Sequence, residues 1–228
     1  MPRRSGARWR RDSEPKAQTE PAVSPGPTFD RVYLALKEQL TSGRFAPGDH
    51  LEPAMLGPEL NASITPVRDA LHRLVGERIV EAPRNDGFRV PAPAEADLRD
   101  LYGWNRSLLE LALRSSTAGS AAAAVRAAEI GGGDTLSSAA DLFRAIARRT
   151  GSLELEAAVE NLNDRLGSLR VAEMRIFEDA AEEHRIQRIA WEQGDYSELR
   201  RCIVVYHRRR QRHVSDILVA CRTLHRER

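Results

Sequence analysis

The chain has 228 residues, with 35 Lys and Arg against 33 Asp and Glu, a formal net charge of +2 and 5% aromatic residues. This length holds one large or two small domains with a buried core, and the composition suits a mainly helical protein. Two cysteines, Cys202 and Cys221, are too few for a disulfide framework, and no segment approaches the ~20 apolar residues of a membrane span. The basic N-terminal segment is not followed by an apolar run, as a signal peptide requires, so we expect a soluble cytoplasmic protein without membrane association.

Residues 1–28 combine Arg, Ser, Pro and Glu and contain one branched aliphatic residue, Val23. Because such a segment buries too little apolar surface to offset its ordering entropy, it predicts a disordered basic tail. From Phe29 the pattern changes. Val32, Leu36 and Leu40 recur every four residues, which predicts a helix that ends at Gly43.

A second short helix is predicted at residues 53–60, and a third from Ser63 to about Glu77. Two short β segments, at residues 79–82 and 88–90, flank a turn rich in Pro, Asn and Gly and predict a hairpin. Three helices followed by a hairpin are typical of a winged helix-turn-helix domain, which we place at residues 29–93.

The third helix begins SITPVRDALHRL. In a helix-turn-helix, the N-terminal residues of this helix point toward base edges in the major groove. We expect Ser63 or Thr65 to cap the helix, Ile64 to face solvent, and Arg68 and Arg73 to reach phosphates or guanine edges. An amphipathic helix with merely solvated arginines has the same pattern, so the segment alone leaves both interpretations open.

The surrounding sequence decides between them, through an ordered series of residues. The series consists of Gly43, Pro47-Gly48, Leu51-Glu52, Thr65-Pro66-Val67-Arg68, Ala70-Leu71, Leu74, Gly87 and Val90. Over this whole region the chain resembles the DNA-binding domain of GntR-family transcriptional regulators. The resemblance implies that the third helix enters the major groove of double-stranded DNA and that the wing tip lies near the minor groove. The expected DNA-contacting residues are Arg44, Ser63, Ile64, Thr65, Arg68, Arg73, Asn85 and Gly87.

Two positions depart from the family's pattern. Ile64 stands where the family has an arginine between Ser and Thr, and Asp86 stands where an arginine precedes the wing glycine. The loss of two donors predicts weaker DNA binding or a shifted sequence preference. Ile64 offers instead an apolar contact to a thymine methyl group.

Residues 94–228 carry helical patterns at 94–114, 121–129, 137–149, 153–169, 172–192 and 196–222. They resemble the FCD effector domain of FadR-type GntR regulators. Arg106 and Glu110 match an Arg-x-x-x-Glu, and His184, Ala190 and Gly194-Asp195 match a second series. The expected fold is therefore mainly α, with a winged helix-turn-helix domain followed by an all-α bundle for effector binding and dimerisation.

Many FCD domains bind a divalent metal through an Asp-x-x-x-His pair and further histidines, but here Ala140 and Arg144 stand at the two positions of that pair. His184 and His207 remain as weak metal candidates, too few for a firm site, so no cofactor is expected with certainty. Arg144 suggests a direct anchor for an acidic effector, in a pocket lined by Arg106, Arg144, His184 and His207. A solvated or ion-paired Arg144, and an Arg106–Glu110 ion pair, explain the same residues.

These features favour a ligand-responsive transcriptional regulator, of repressor type, that binds a short inverted repeat as a homodimer and takes an effector of the organic-acid class. The main alternative is an effector-insensitive DNA-binding partner with a degenerate pocket. A metal-binding helical protein or enzyme is a weaker alternative, because no nucleophile–base pair and no phosphate-binding glycine loop is evident. We therefore expect no enzymatic activity.

Overall fold

The structure is a computed structural model that describes residues 27–115 and 138–226. Within these ranges the chain forms nine α-helices: α1 Pro27–Thr41, α2 Pro53–Glu59, α3 Ile64–Gly76, α4 Glu95–Arg114, α5 Ala139–Arg148, α6 Leu153–Ile176, α7 Ala180–Glu192, α8 Tyr196–Arg212 and α9 Val214–Arg226. The predicted tail up to residue 26, the helix at 121–129 and the three glycines at 131–133 lie outside the described residues. The last two residues of the predicted tail belong to α1. No described helix is long and apolar enough to cross a lipid bilayer.

Helices α1 to α3 enclose one hydrophobic core, because the predicted stripe of α1 meets the inward face of α3. Val32, Leu36, Leu71 and Leu74 are all fully buried there. The turn between α2 and α3 is tight, since a Cβ atom at Gly57 would lie 2.9 Å from the carbonyl oxygen of residue 62. This packing leaves the N-terminal end of α3 at the surface.

The wing lies where the sequence predicts it, but it is shorter than expected. Glu81 and Arg89 exchange two backbone hydrogen bonds of 2.8 and 2.9 Å across the turn at residues 83–87. Residues 48–51 pair with the other side of the returning segment, where the N–H of Leu51 donates to the carbonyl of residue 88 at 2.8 Å. The described residues contain isolated bridges rather than strands, so the predicted strand lengths are wrong. Pro83 and Pro91 lack the N–H donors that would extend the ladder.

Helices α4 to α9 form the helical domain, with α6 at its centre, in contact with α1, α4, α5 and α9. Two predicted helix boundaries are wrong. The predicted break at residues 170–171 is absent, because Leu166, Leu169 and Ala172 continue the buried stripe of α6. The chain turns instead at Phe177, whose buried ring contacts His213 edge-to-face at 5.6 Å.

The second wrong boundary lies in the predicted helix at residues 196–222, which is broken at His213. The Nδ1 atom of His213 lies 2.8 Å from Oδ2 of Asp216, in the first turn of α9. The break separates two helices with different packing partners, since α8 lies mainly against α4 and α7 whereas α9 lies mainly against α6.

The two domains touch along α1 and α6. Gly167 of α6 lies against the end of α1, where a Cβ atom would be 2.7 Å from the carbonyl oxygen of Thr41. On the same side, Nδ2 of Asn161 donates to the carbonyl of Glu77, the residue that ends α3, at 2.7 Å. The recognition-helix candidate is therefore attached directly to the helical domain.

Candidate functional site

The first turn of α3 is exposed because the opposite face of this helix is buried in the core of the N-terminal domain. The exposed side chains at this end are Ser63, Ile64, Thr65 and Arg68. Ile64 is 50% exposed, as predicted. Ser63 has the extended backbone of an N-cap residue, but its side chain makes no capping hydrogen bond, and Thr65 lies inside the helix, so the predicted cap is wrong.

The two arginines of α3 differ in what they contact. Arg68 is exposed and forms no ion pair with any residue of the described chain. Arg73 has its Nε 3.3 Å from Oε1 of Glu77, and its guanidinium stacks 3.9 Å from the ring centroid of Tyr33 in α1. Arg68 is therefore available for a phosphate or a base, whereas Arg73 is engaged within its own domain, which does not favour the DNA contact predicted for it.

The wing tip is shaped by two residues in the left-handed region, Asn85 with φ of 63° and Gly87 with φ of 68°. Asp86 lies between them at the exposed tip. Its Oδ2 is 3.6 Å from Nη1 of Arg89, so its charge is partly neutralised within the wing. The unfavourable carboxylate that the sequence places near DNA is thus weakened by a local pair.

Arg44 pairs with Glu59 at 2.6 Å, with 43% and 48% of the two side chains exposed. Ion pairs at this exposure contribute little to stability, about 0–1 kcal/mol. Arg44 can therefore exchange this partner for a phosphate at small cost.

In the helical domain, Glu173 of α6 is the centre of a buried polar network. Its carboxylate accepts hydrogen bonds from the hydroxyls of Tyr102 at 2.5 Å and Tyr206 at 3.2 Å, and from Nε of Arg210 at 2.9 Å. Arg210 also donates to Glu183 at 2.5 Å. Burial and the charge of Glu173 raise the pKa of Tyr206 to about 12, so this hydroxyl stays a donor. Because its charged members are paired with each other, this network is structural.

A second polar region surrounds Phe143. The guanidinium of Arg170 lies 5.4 Å from the centroid of this ring, and the imidazole of His207 stacks on it at 5.5 Å. Arg170 donates to the side-chain oxygen of Asn163 at 3.0 Å, and no carboxylate of the described residues pairs with it. The Nδ1–H of His207 donates to the carbonyl of Ile203 at 2.7 Å, which leaves a buried Nε2 acceptor without a hydrogen-bond partner in the described protein.

Three arginines, on α4, α6 and α8, act on His207 in the interior of the bundle. Burial, together with the charges of Arg170, Arg210 and Arg106, lowers the pKa of His207 to about 3. The amides of Asn105 and Gln187 are fully buried on α4 and α7, and neither has a hydrogen-bond partner among the described residues. Since buried polar groups are nearly always hydrogen-bonded, these groups can receive a polar ligand.

Arg144, the anion anchor suggested by the sequence, is engaged by carboxylates of its own domain, which does not favour that role. Its Nε and Nη2 contact the two oxygens of Glu160 at 2.7 and 3.0 Å, and its Nη1 lies 2.9 Å from Oδ1 of Asp141. The ion-paired alternative therefore holds. In the interior of the helical domain, Arg170 has no carboxylate partner among the described residues, and the sequence interpretation missed it. The signal was present, because Arg170 follows Leu162 and Leu166 at intervals of four in the buried stripe of α6.

Of the other predicted effector residues, Arg106 and His207 lie close enough to interact. Arg106 lies near enough to His207 to influence its pKa, and it also pairs with Glu110 at 3.6 Å, as the intrahelical alternative predicts. His184 is half-buried on α7. Within residues 27–115 and 138–226, no group of three His, Cys, Asp or Glu side chains is arranged to hold a metal ion.

Comparison with known proteins extends these observations. Residues 28–90 match the bacterial regulatory proteins of the gntR family. The HTH-type transcriptional repressor GlaR of Escherichia coli (strain K12) is 33% identical over 70 residues, which are 31% of this chain and 32% of GlaR. The HTH-type transcriptional regulator McbR of the same strain is 40% identical over 83 residues, 36% of each chain. The matched part thus spans only about a third of each of these relatives.

Likeness to solved structures covers more of the chain. The structure of E. coli McbR/YncC has a TM-score of 0.61 at 23% identity, over 84% of this chain and 97% of that one. A putative GntR transcriptional regulator from Rhodococcus sp. RHA1 has a TM-score of 0.60 at 20% identity, over 84% and 98%. At these identities the comparison establishes the shared two-domain fold.

Together, the exposed third helix, the wing and the helical C-terminal domain define the class of winged helix-turn-helix proteins. Within this class, residues 28–90 are similar to the gntR family of bacterial regulatory proteins. The relatives are named as transcriptional regulators, a role that agrees with the expectation of a non-enzymatic protein.

Proposed function

We propose that this protein is a ligand-responsive transcriptional repressor of the GntR type that acts in the cytoplasm. Residues 29–93 bind double-stranded DNA, and residues 94–228 bind an effector and dimerise. The observation that carries this proposal is the first turn of α3, which exposes Arg68, without an ion-pair partner in the described chain, beside the exposed Ile64. Repression is the activity named for one relative, GlaR.

In the proposed complex, α3 lies in the major groove, where Arg68 contacts a guanine edge or a phosphate and Ile64 contacts a thymine methyl group. Asn85 and Gly87 bring the wing tip toward the minor groove. Arg44 exchanges its exposed partner for a phosphate. A protein with two-fold symmetry reads a short inverted repeat, so we propose that the operator has this form.

The proposed effector is a small organic acid bound in the interior of the helical domain. The buried Nε of Arg170 has no hydrogen-bond partner in the described protein, and its Nη1 and Nη2 donate to oxygens of the neutral Asn163. A carboxylate that replaces a contact to Asn163 binds this guanidinium through two parallel hydrogen bonds. His207 presents a neutral Nε2 acceptor, which suits a hydroxyl donor on the same ligand. These two groups together favour a hydroxy acid.

A homodimer is supported by the surface of α4. Trp104 and Leu111 lie seven residues apart on one face of this helix, and they are 56% and 45% exposed. Large exposed apolar side chains on one helix face are typical of a protein interface. We propose that this face contributes to the contact between two copies of the chain.

The second candidate is an effector-insensitive DNA-binding partner. The pairing of Arg144 with Glu160 and Asp141 favours it, because this position of the expected pocket is closed by internal contacts.

The test of the main proposal is a footprint on the promoter region of the protein's own gene, followed by a salt titration. We expect sequence-selective, salt-sensitive protection of an inverted repeat. Addition of a panel of hydroxy acids then releases the DNA if the protein responds to ligand. Persistent protection with every acid supports the second candidate, and the absence of selective binding contradicts both.

A further inference from the structure

A cleft of about 690 Å³ lies between the two domains. Its walls come from the segment after α3, the linker at residues 91–93, and helices α4 and α6. Much of the lining is apolar and includes Val75, Val80, Val90, Leu101 and Leu169. Small-molecule sites have volumes of roughly 300–1,000 Å³ and mostly apolar walls, so the cleft has the size and lining of a ligand site.

Two arginines line this cleft from opposite domains, Arg78 just after α3 and Arg165 on α6. Neither guanidinium makes a hydrogen bond or an ion pair with any residue in the described ranges. Burial and the charge of Arg78 both lower the pKa of Arg165, so the two cations lie within electrostatic reach of each other. The two positive charges repel each other, and an anion bound between them would remove this repulsion.

The three carboxylates that line the same cleft do not neutralise these arginines. They are engaged elsewhere: Asp164 with Lys37 at 2.6 Å, Glu81 with Arg89 at 3.0 Å, and Asp97 with the backbone N–H of Ala94 at 3.0 Å. The cleft therefore presents two unpaired positive charges against an apolar wall.

The backbone conformation of Arg78 also supports a role for this residue in the cleft. Its φ is 59°, in the left-handed region, at the position after a helix that is most often glycine. A bulky residue at such a position is strained. The strain is retained at the residue that brings one of the two guanidinium groups to the cleft.

We propose that this cleft is a second ligand site, separate from the interior of the helical domain, for a small organic anion with an apolar body. Its carboxylate or phosphate group is held between Arg78 and Arg165, and its apolar part lies along the valine and leucine wall. Because the two arginines belong to different domains, the bound anion favours one relative position of the domains. The site does not depend on an effector in the helical domain.

Calorimetry on the full-length protein, in buffer without phosphate or other multivalent anions, tests the proposal with three probes: octanoate, octyl phosphate and 1-octanol. We expect saturable binding of at least one of the two anions, and weaker binding of the neutral alcohol. Arg78→Gln and Arg165→Gln each weaken anion binding by about tenfold or more, while Arg165→Lys retains part of it. The comparison of octanoate with octyl phosphate identifies the preferred head group.

Two matched variants locate the site. Arg188→Gln, at an exposed arginine of α7, is the control and leaves binding of these probes unchanged. Arg170→Gln, which removes the proposed anchor of the helical-domain interior, reports whether a probe binds there instead of in the cleft. Loss of binding in Arg170→Gln alone places the ligand in the interior and overturns the cleft site, and so does the absence of saturable binding of either anion. Failure of the cleft site leaves the DNA footprint and its response to hydroxy acids unaffected.

Thermal unfolding gives a test that needs no ligand. If Arg165 is unpaired and repelled by Arg78, the melting temperature of Arg165→Gln in anion-free buffer equals or exceeds that of the wild type. Added octyl phosphate or octanoate then raises the melting temperature of the wild type more than that of the variant. A lower melting temperature of the variant in anion-free buffer shows that Arg165 has a structural partner, and it overturns the proposal.

Discussion

Nζ of Lys37 in α1 lies 2.6 Å from Oδ2 of Asp164 in α6, so an ion pair joins the N-terminal domain to the central helix of the helical domain. The same Nζ lies 3.2 Å from Oε2 of Glu77 at the end of α3. Burial alone lowers the pKa of Lys37, but the hydrogen bond and charge of Asp164 outweigh it and raise that pKa. Burial raises the pKa of Asp164 while Lys37 opposes the rise, and the short contact is that of a charged pair.

Replacement of this lysine, Lys37→Met, should destabilise the protein by about 1–3 kcal/mol, because it leaves the partly buried Asp164 without its partner. The matched control is Arg44→Gln, which removes an exposed pair with Glu59 and should cost less than about 1 kcal/mol. Urea denaturation of both variants measures the difference. An equal decrease in the free energy of unfolding of the two variants would show that the interdomain pair stabilises the protein no more than the exposed pair does.

The contact between Gly167 and Thr41 predicts that Gly167→Ala destabilises the protein by about 1–3 kcal/mol, although alanine favours helices, because a Cβ atom would overlap the Thr41 carbonyl. Gly76→Ala is the control, since a Cβ at that position meets no atom within 4 Å. This control should stabilise α3 by about 0.5–1 kcal/mol. Thermal melting of both proteins checks the opposite signs.

Ile64→Arg should strengthen DNA binding and steepen its salt dependence by about 0.9 in the log–log slope, the effect of one added phosphate contact. Arg68→Ala should have the opposite effect on affinity. A salt titration by fluorescence anisotropy measures both, with Arg188→Gln as a control at an exposed arginine of α7. An unchanged affinity and slope in Ile64→Arg would place this residue away from the DNA.

Arg170→Gln should weaken binding of a hydroxy acid by about tenfold or more, because it removes the one guanidinium of this interior that lacks a carboxylate partner in the described chain. Arg144→Gln should leave the affinity unchanged, since Arg144 is bound to Glu160 and Asp141. Calorimetry with a panel of organic acids compares the two. The reverse order of effects would restore Arg144 as the anchor.

His207 should make folding stability depend on pH in the acidic range. Its folded pKa is lowered from 6.5 to about 3, so the unfolded chain takes up the proton first. The contribution to stability is therefore complete above pH 6.5 and is lost as pH falls toward 3, with a limiting slope of about 1.4 kcal/mol per pH unit.

Urea unfolding between about pH 7 and pH 5 measures this slope, within the range that the shift of His207 spans. His207→Phe should flatten the profile because it removes the titrating group while keeping a ring against Phe143. His50→Gln, at an exposed histidine, should keep the wild-type profile. A slope that persists in His207→Phe would assign it to other groups.

The fold class was predictable because local patterns determine it. The stripe of Val32, Leu36 and Leu40 and the sequence after Ser63 place the first and third helices within a few residues. The ends of α6 and α8 were not predictable, since helical periodicity continues through both regions. They depend on the packing of Phe177 against His213, which lies 36 positions away in the chain.

The candidate ligand residues were predicted less well, for a different physical reason. Whether an arginine is free to bind an anion depends on its neighbours in space. Glu160, which neutralises Arg144, is 16 residues away from it and on the next described helix. The availability of Arg170 likewise depends on the folded bundle, where no carboxylate of the described residues forms an ion pair with it.

The hydrogen bond from Asn161 to the carbonyl of Glu77 has a mechanical consequence. It ties the C-terminal end of α3 to α6, while Ile64 lies at the opposite end of this helix of 13 residues, about 20 Å away. Because α3 is packed against α1, the two helices move together, and a rotation of about 5° about this contact moves Ile64 by about 2 Å at that length. A displacement of this size is sufficient to separate a side chain from a base edge, so small movements of α6 are magnified at the end of α3 that is proposed to contact DNA.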